Sequence, residues 1–135
     1  MISAKQEAYF RLTGDIGIAK HGVLGIGRGF GRAVQAANIP IRINILMPSW
    51  TSTNILPDVA GIMKAVSHES QPTLVVARIA ALLMVDESRD GEVIFVADGK
   101  YKEIEKSVLT PAYESIKGDA PSDDEILRRI FGQDA

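Results

Sequence analysis

The chain has 135 residues, with 15 Lys+Arg against 17 Asp+Glu, two His and no Cys, for a formal net charge of −2. At 46% apolar and 24% charged residues it has ordinary globular composition, at a length that suits one domain. That excludes an intrinsically disordered chain, and the lack of a basic excess argues against a nucleic-acid binder that works by counterion release. Without cysteine there is no disulfide scaffold, no thiol nucleophile and no cysteine-type zinc site, which fits a reducing compartment. The N-terminal stretch mixes polar and apolar residues, so no secretory signal is read there. The longest apolar stretch, Leu74–Val85, is interrupted by Arg78 and is too short for a membrane span. A soluble, cytoplasmic protein that contacts neither nucleic acid nor membrane is the expectation.

From Gly14 to Asn38, apolar or small residues recur every three or four positions (Ile16, Ala19, Val23, Ile26, Phe30, Val34, Ala37), which predicts a helix. Six glycines lie inside it: Gly17, Gly22, Gly25, Gly27, Gly29 and Gly31. Each costs a helix interior about 1 kcal/mol against alanine. So many imply close packing against another backbone, or a stretch that is not helical throughout. After Pro40, the β-branched run Ile41–Pro48 predicts a strand, followed by the hydroxyl-rich loop Ser49–Asn54. A helical pattern follows from Ile55 to Val66. Pro72 opens a second helix over Thr73–Val85. Asp90-Gly91 marks a turn, Val93–Ala97 a buried strand, and Asp98-Gly99 another turn. A short helix is predicted over Leu109–Ile116. Ser122 and Glu125 form a capping-box pattern before a final helix.

Two strands joined by a helical crossover imply a parallel pair with right-handed connection. Two parallel strands alone make a poor domain, so something else, most simply a second copy, is expected to complete the sheet.

Ala19–Leu56 resembles the second half of a short-chain dehydrogenase/reductase, of the classical, prostaglandin-dehydrogenase-like branch. Lys20-His21-Gly22-Val23 matches the helix that continues a Tyr-x-x-x-Lys motif. Ile41-Arg42-Ile43-Asn44 matches a strand of that family. Pro48–Thr53 matches the loop after it, and Arg89–Gly99 matches the final strand. The resemblance covers about Lys20 to Glu105. It implies an α/β fold: a truncated Rossmann-like half with parallel strands and crossover helices, completed by homodimerisation through the glycine-rich helix. The chain is accordingly read as one domain over 1–135, with a divergent segment 1–18, a family-like core 19–105 and a helical extension 106–135.

The departures from the family pattern carry as much information as the matches. Ile16 stands four residues before Lys20, where the family has its catalytic tyrosine, and an isoleucine moves no proton. Pro48 is followed by Ser49 rather than glycine. Ser3 falls near the place of the family's catalytic serine. The family's strand–glycine-turn–helix cofactor site is not found. Gly25-x-x-x-Gly29-x-Gly31 has phosphate-loop spacing but lacks a preceding strand, so helix packing is the favoured reading. No cofactor and no metal site is therefore expected.

The candidate catalytic residues are Lys20, Asp15 and Tyr9. Lys20 is a retained cation, Asp15 an acid/base beside it, and Tyr9 one of three phenols, with Tyr101 and Tyr113, among which sequence does not choose. His21 also flanks Lys20, and helix-surface roles are the plainer reading of Asp15 and His21. The candidate substrate-binding residues are Ser49, Trp50, Thr51, Thr53 and Asn54. They follow the carboxyl end of a strand, where open α/β sheets bind ligands, and they set an indole beside hydroxyl and amide groups. The same residues also suit a capped helix start. Glu103–Glu105 read as surface charges.

Three functions follow. The first is a cofactor-independent isomerase or cyclase of secondary metabolism acting on a small-molecule substrate. The second is a non-catalytic remnant that associates with a full-length dehydrogenase relative. The third is an NAD(P)-dependent oxidoreductase with a cofactor site shared across a dimer.

Overall fold

The computed structural model describes residues 17–55 and 58–132. Its first element is helix α1, Gly17–Ala36. Strand β1, Ile45–Pro48, is followed by helices α2, Val59–Ala65, and α3, Thr73–Val85. Strands β2, Val93–Ala97, and β3, Lys100–Glu103, come next. A π-helical turn, Glu105–Leu109, leads into α4, Thr110–Lys117, and the last helix is α5, Asp123–Ile130. The predicted start of the first helix at Gly14 lies outside the described residues.

The architecture is α/β around a three-stranded mixed sheet in the order β1-β2-β3. β1 and β2 are parallel, with Ile45 opposite Val93 and Met47 opposite Phe95. β2 and β3 are antiparallel, with Phe95 opposite Lys102. The third strand corrects the expectation of parallel strands alone. Asp98 and Gly99 both have positive φ (50° and 74°), the geometry of the two-residue turn that matches strand twist and folds β3 back on β2.

The strand expected over Ile41–Pro48 is regular only from Ile45, because side chains supply the pairing before it. Asn44 donates its amide to the Arg89 carbonyl (3.0 Å) and accepts from the Glu92 N–H (3.0 Å), while the Ile43 N–H is taken by the Asp90 carboxylate (3.0 Å). Arg42 gives its guanidinium to the carbonyls of Leu83, Met84, Asp86 and Arg89 at 2.9–3.2 Å. Several of these are the carbonyls that the end of α3 leaves without helical partners, and a cation suits a helix C-terminus.

Both sheet faces carry a helix. On one, Leu83, Ile94 and Val96 are buried together, with Leu46, Val75, Val76 and Ile79 packed around them. That face explains why Thr73–Val85 is apolar and helical. On the other, α1 crosses Ile43 and Ile45, with Val93 buried beneath. A Cβ on Gly27 would come within 2.6 Å of the Ile45 side chain, so this glycine is a close-approach position. A Cβ on Gly31 would meet Ile43 at 3.9 Å, an ordinary contact. A Cβ on Gly17, Gly22, Gly25 or Gly29 would meet nothing within 4 Å among the described residues, so only part of the run makes a close approach there. The helix is continuous through them all the same.

At the end of α3, Asp86 accepts from the hydroxyl and N–H of Ser88 and from Arg89. The Ser88 hydroxyl above all, then its N–H and the Arg89 guanidinium, hold the Asp86 carboxyl below the ordinary carboxylate range. A group with depressed folded pKa stabilises above its unfolded pKa, about 4 for an aspartate, and loses that contribution as pH falls through the folded value. Asp86→Asn is therefore expected to flatten the acid limb of a stability-against-pH curve below about pH 4, while a curve that matches the parent's would remove this account.

Candidate functional site

The loop after β1 is held open by a residue that the motif reading did not single out. Gln71, 5% exposed, forms a parallel bridge with Thr51. Its N–H donates to the Trp50 carbonyl (2.9 Å), and its carbonyl accepts from the Ser52 N–H (2.9 Å). Its side-chain amide donates to Thr51 Oγ1 (3.2 Å) and to the Val96 carbonyl (3.0 Å). Thr51 in turn donates to the Ser49 carbonyl (2.8 Å), and the Ser52 and Ser70 hydroxyls share a bond of 2.6 Å. This lattice fixes the loop without any ligand. Its sequence signal is weak: Gln71 lies directly before Pro72, which reads only as a helix start.

The predicted substrate-binding residues sit as follows. Ser49 continues β1, its N–H bonded to the Val96 carbonyl (2.8 Å). Trp50 is 42% exposed, with its backbone clamped by Gln71. The Thr51 hydroxyl is engaged on both sides, so Thr51 shapes the loop. Thr53 Oγ1 accepts weakly from the Ile55 N–H (3.4 Å), and Asn54 is exposed beside it. The five residues therefore share one short ledge at the carboxyl ends of β1 and β2. The helix expected from Ile55 is regular only over Val59–Ala65, where Asp58 caps it by accepting from the Gly61 N–H (3.0 Å).

Lys20 is exposed near the start of α1. Gly27 packs on Ile45, Gly31 on Ile43, and Gln35 bonds Asp90, so α1 runs antiparallel to β1. Two turns of helix, about 10 Å, separate Lys20 from Gly27. Lys20 thus lies toward the strand end that carries Trp50. Among the described residues, no hydrogen bond or ion pair joins it to the loop. His21 bonds back to the Gly17 carbonyl (2.9 Å), a contact within the helix. Asp15 and Tyr9, like Ser3 and Ile16, lie outside the described residues. Of the other two phenols, Tyr101 sits on β3 and Tyr113 on α4, where its hydroxyl donates to Asp123 (3.1 Å).

A dinucleotide pyrophosphate needs a strand, a glycine turn and a helix N-terminus in succession. Gly25, Gly29 and Gly31 are instead in the interior of α1, where their N–H groups serve the helix. The described residues do not fit that cofactor's phosphate cradle. Among them, no group of three or more His, Asp or Glu lies together to hold a metal. No described helix is long and apolar enough to cross a membrane.

A second polar centre lies between α1 and the π-helical turn. Glu105, expected at the surface, has a side chain only 10% exposed. It accepts a two-pronged bond from Arg28 (2.8 and 2.9 Å), a longer one from Arg32 (3.5 Å) and one from Thr110 (3.2 Å). Arg32 also reaches Asp123 (3.1 Å) and Asp124 (3.7 Å) on α5. Arg28 and Arg32 were hidden in sequence among the glycines of α1.

The chain is 42% identical over 120 residues to the short-chain dehydrogenase/reductase ascJ of Acremonium egyptiacum, a match covering 86% of this chain and 40% of that relative. No family model matches the chain, and no solved structure matches it. Over most of its length, then, the chain is similar in sequence to part of a short-chain dehydrogenase/reductase, and it spans 40% of the length of that relative.

Proposed function

We propose that the chain binds a small organic molecule on the Trp50 ledge and acts on it without dinucleotide redox chemistry, as an isomerase or cyclase. The observation that carries this reading is half-exposed Trp50, its backbone held by Gln71 at the carboxyl end of two parallel strands. An amphipathic ring on a pre-ordered loop at that edge suits a ligand wall. Ser49, Thr53 and Asn54 supply polar contacts beside it. Lys20 stabilises developing negative charge, with Asp15 and Tyr9 as the acid/base pair. Ile16 in place of a proton-donating tyrosine, and glycines set along the interior of a helix, both weigh against hydride chemistry.

In the same reading the domain is a Rossmann-like half that associates with a second copy. Ile18, Val23, Ile26 and Phe30 are exposed along α1, next to glycines whose added Cβ would meet nothing within 4 Å among the described residues. A long helix with two apolar faces has one to give to a partner. A full-length dehydrogenase relative is the alternative occupant of that face.

Trp50 is the chain's one tryptophan, so its emission reports on the ledge. Titration with the apolar anion anilinonaphthalene sulfonate is expected to show energy transfer from Trp50, and Trp50→Ala to weaken that binding about tenfold. Unchanged affinity in the variant sinks the ledge as the site. NADH and NADPH are expected to give no saturable quenching. Saturation at micromolar cofactor would replace this reading with the oxidoreductase one.

A further inference from the structure

The Arg28–Arg32–Glu105 centre lies outside the Trp50 ledge, and the reading above makes no use of it. It borders a cleft of about 390 Å³ between α1, the start of β1 and the π-helical turn. Helix α5 contributes Asp124 to its lining. No residue of α5 is buried. Ile126, Ile130 and Phe131 remain exposed, so little apolar burial holds it. Half-buried Leu127 lies beside Gly25 and Gly29 of α1, and charge supplies the polar contacts. The carboxylates of Asp123 and Asp124, 47% and 66% exposed, sit on the Arg32 guanidinium at 3.1 and 3.7 Å. Tyr113 steadies Asp123 from the other side (3.1 Å). Glu125 is turned away and paired with Arg129.

We propose that Arg32, with Lys106 across the cleft, forms a binding subsite for a small oxyanion, a carboxylate or phosphate, and that the acidic first turn of α5 occupies it as an internal stand-in. Two observations carry this. Carboxylates are already seated on Arg32, so the site's chemistry is displayed by the chain itself. The charge balance then changes on release. With Asp124 present, the cleft lining sets Arg28, Arg32 and Lys106 against Asp90, Glu105 and Asp124. Without it, three cations face two carboxylates, and Arg28 stays locked on Glu105. The surplus charge is left at Arg32, whose planar donors suit a two-oxygen anion. An external anion therefore competes with α5, and its binding frees that helix.

The test uses the full chain and two probes, inorganic phosphate and succinate, at low ionic strength. A tethered competitor acts at an effective concentration near millimolar, so Asp123→Asn with Asp124→Asn is expected to tighten binding of at least one probe about tenfold in calorimetry. Arg32→Gln is expected to abolish it. Tightening with phosphate alone assigns a phosphate site, and with succinate alone a carboxylate site. If the double variant binds neither probe better than Arg32→Gln does, the proposal is overturned. The parent chain gives a test free of mutation. Phosphate is expected to speed amide hydrogen exchange over Ile126–Ile130 more than sodium chloride of equal ionic strength, while α3 is unchanged. Equal exchange in the two salts overturns the proposal as well.

Discussion

Glu105→Ala is expected to cost the fold about 2–3 kcal/mol, read as a fall in the midpoint of urea unfolding at unchanged slope. This one carboxylate satisfies donors from three residues. Arg28 meets it with two parallel bonds, Arg32 and Thr110 with one each. Removing the carboxylate leaves the Arg28 guanidinium, with a side chain 28% exposed, half out of water and without its counter-charge. Breaking a fully buried pair from one side costs about 3–5 kcal/mol, and the partial access of Arg28 to solvent places this case at or below the lower end. The loss is also topological. Glu105 opens the π-helical turn and Arg28 sits mid-way along α1, so their bond ties the first helix to everything after β3. Arg28→Ala in a double-mutant cycle with Glu105→Ala should show a coupling above about 1 kcal/mol. A coupling near zero would mean that the two residues stabilise the fold through other contacts.

None of this centre was legible in the sequence, for a physical reason. The partners are 77 residues apart, and neither carries a local signal. Glu105 follows an apolar residue after a charged stretch, which reads as a turn at the surface. Its burial is set by α1 lying across the sheet, a tertiary fact. Local signals fared better. The helix over Thr73–Val85, the strand over Val93–Ala97 and the Ser122 cap are present where pattern and capping chemistry place them, and their parallel neighbour starts four residues later than its pattern, at Ile45. Only half of the capping box forms, because Glu125 pairs with Arg129 instead of returning to Ser122. The missed strand β3 was readable in principle. Asp98-Gly99 is a strong hairpin dipeptide, yet the charged run Lys100–Glu103 lacks the apolar alternation that marks a strand. It is a strand because β2 offers it an edge. Likewise, glycine count showed that α1 makes close contacts without showing which glycines make them. Gly27 does and Gly25 does not, and that depends on which face of the helix meets Ile45.

The same face logic sets the second large effect, at two adjacent residues of β2. Ile94→Ala is expected to cost about 3–4 kcal/mol, whereas Phe95→Ala, the larger truncation in volume, should cost about 1–2 kcal/mol. Ile94 has no exposed surface and packs with Leu83 and Val96 under α3. Its removal leaves a cavity in a close-packed layer, which adds to the lost transfer free energy. Phe95 points to the opposite face, where α1 covers Ile45 but leaves the phenylalanine ring 41% exposed. Truncation there opens no closed cavity, and water replaces the ring. The ordering of the two losses is therefore a test of the sheet's pleat and of where α1 lies. It is also a test of association. If a second copy or a longer relative covers the α1 side of the sheet in solution, Phe95 becomes a buried contact, and the cost of Phe95→Ala rises toward that of Ile94→Ala as protein concentration increases. A loss at Phe95 that is small and independent of concentration would leave that end of the sheet facing water.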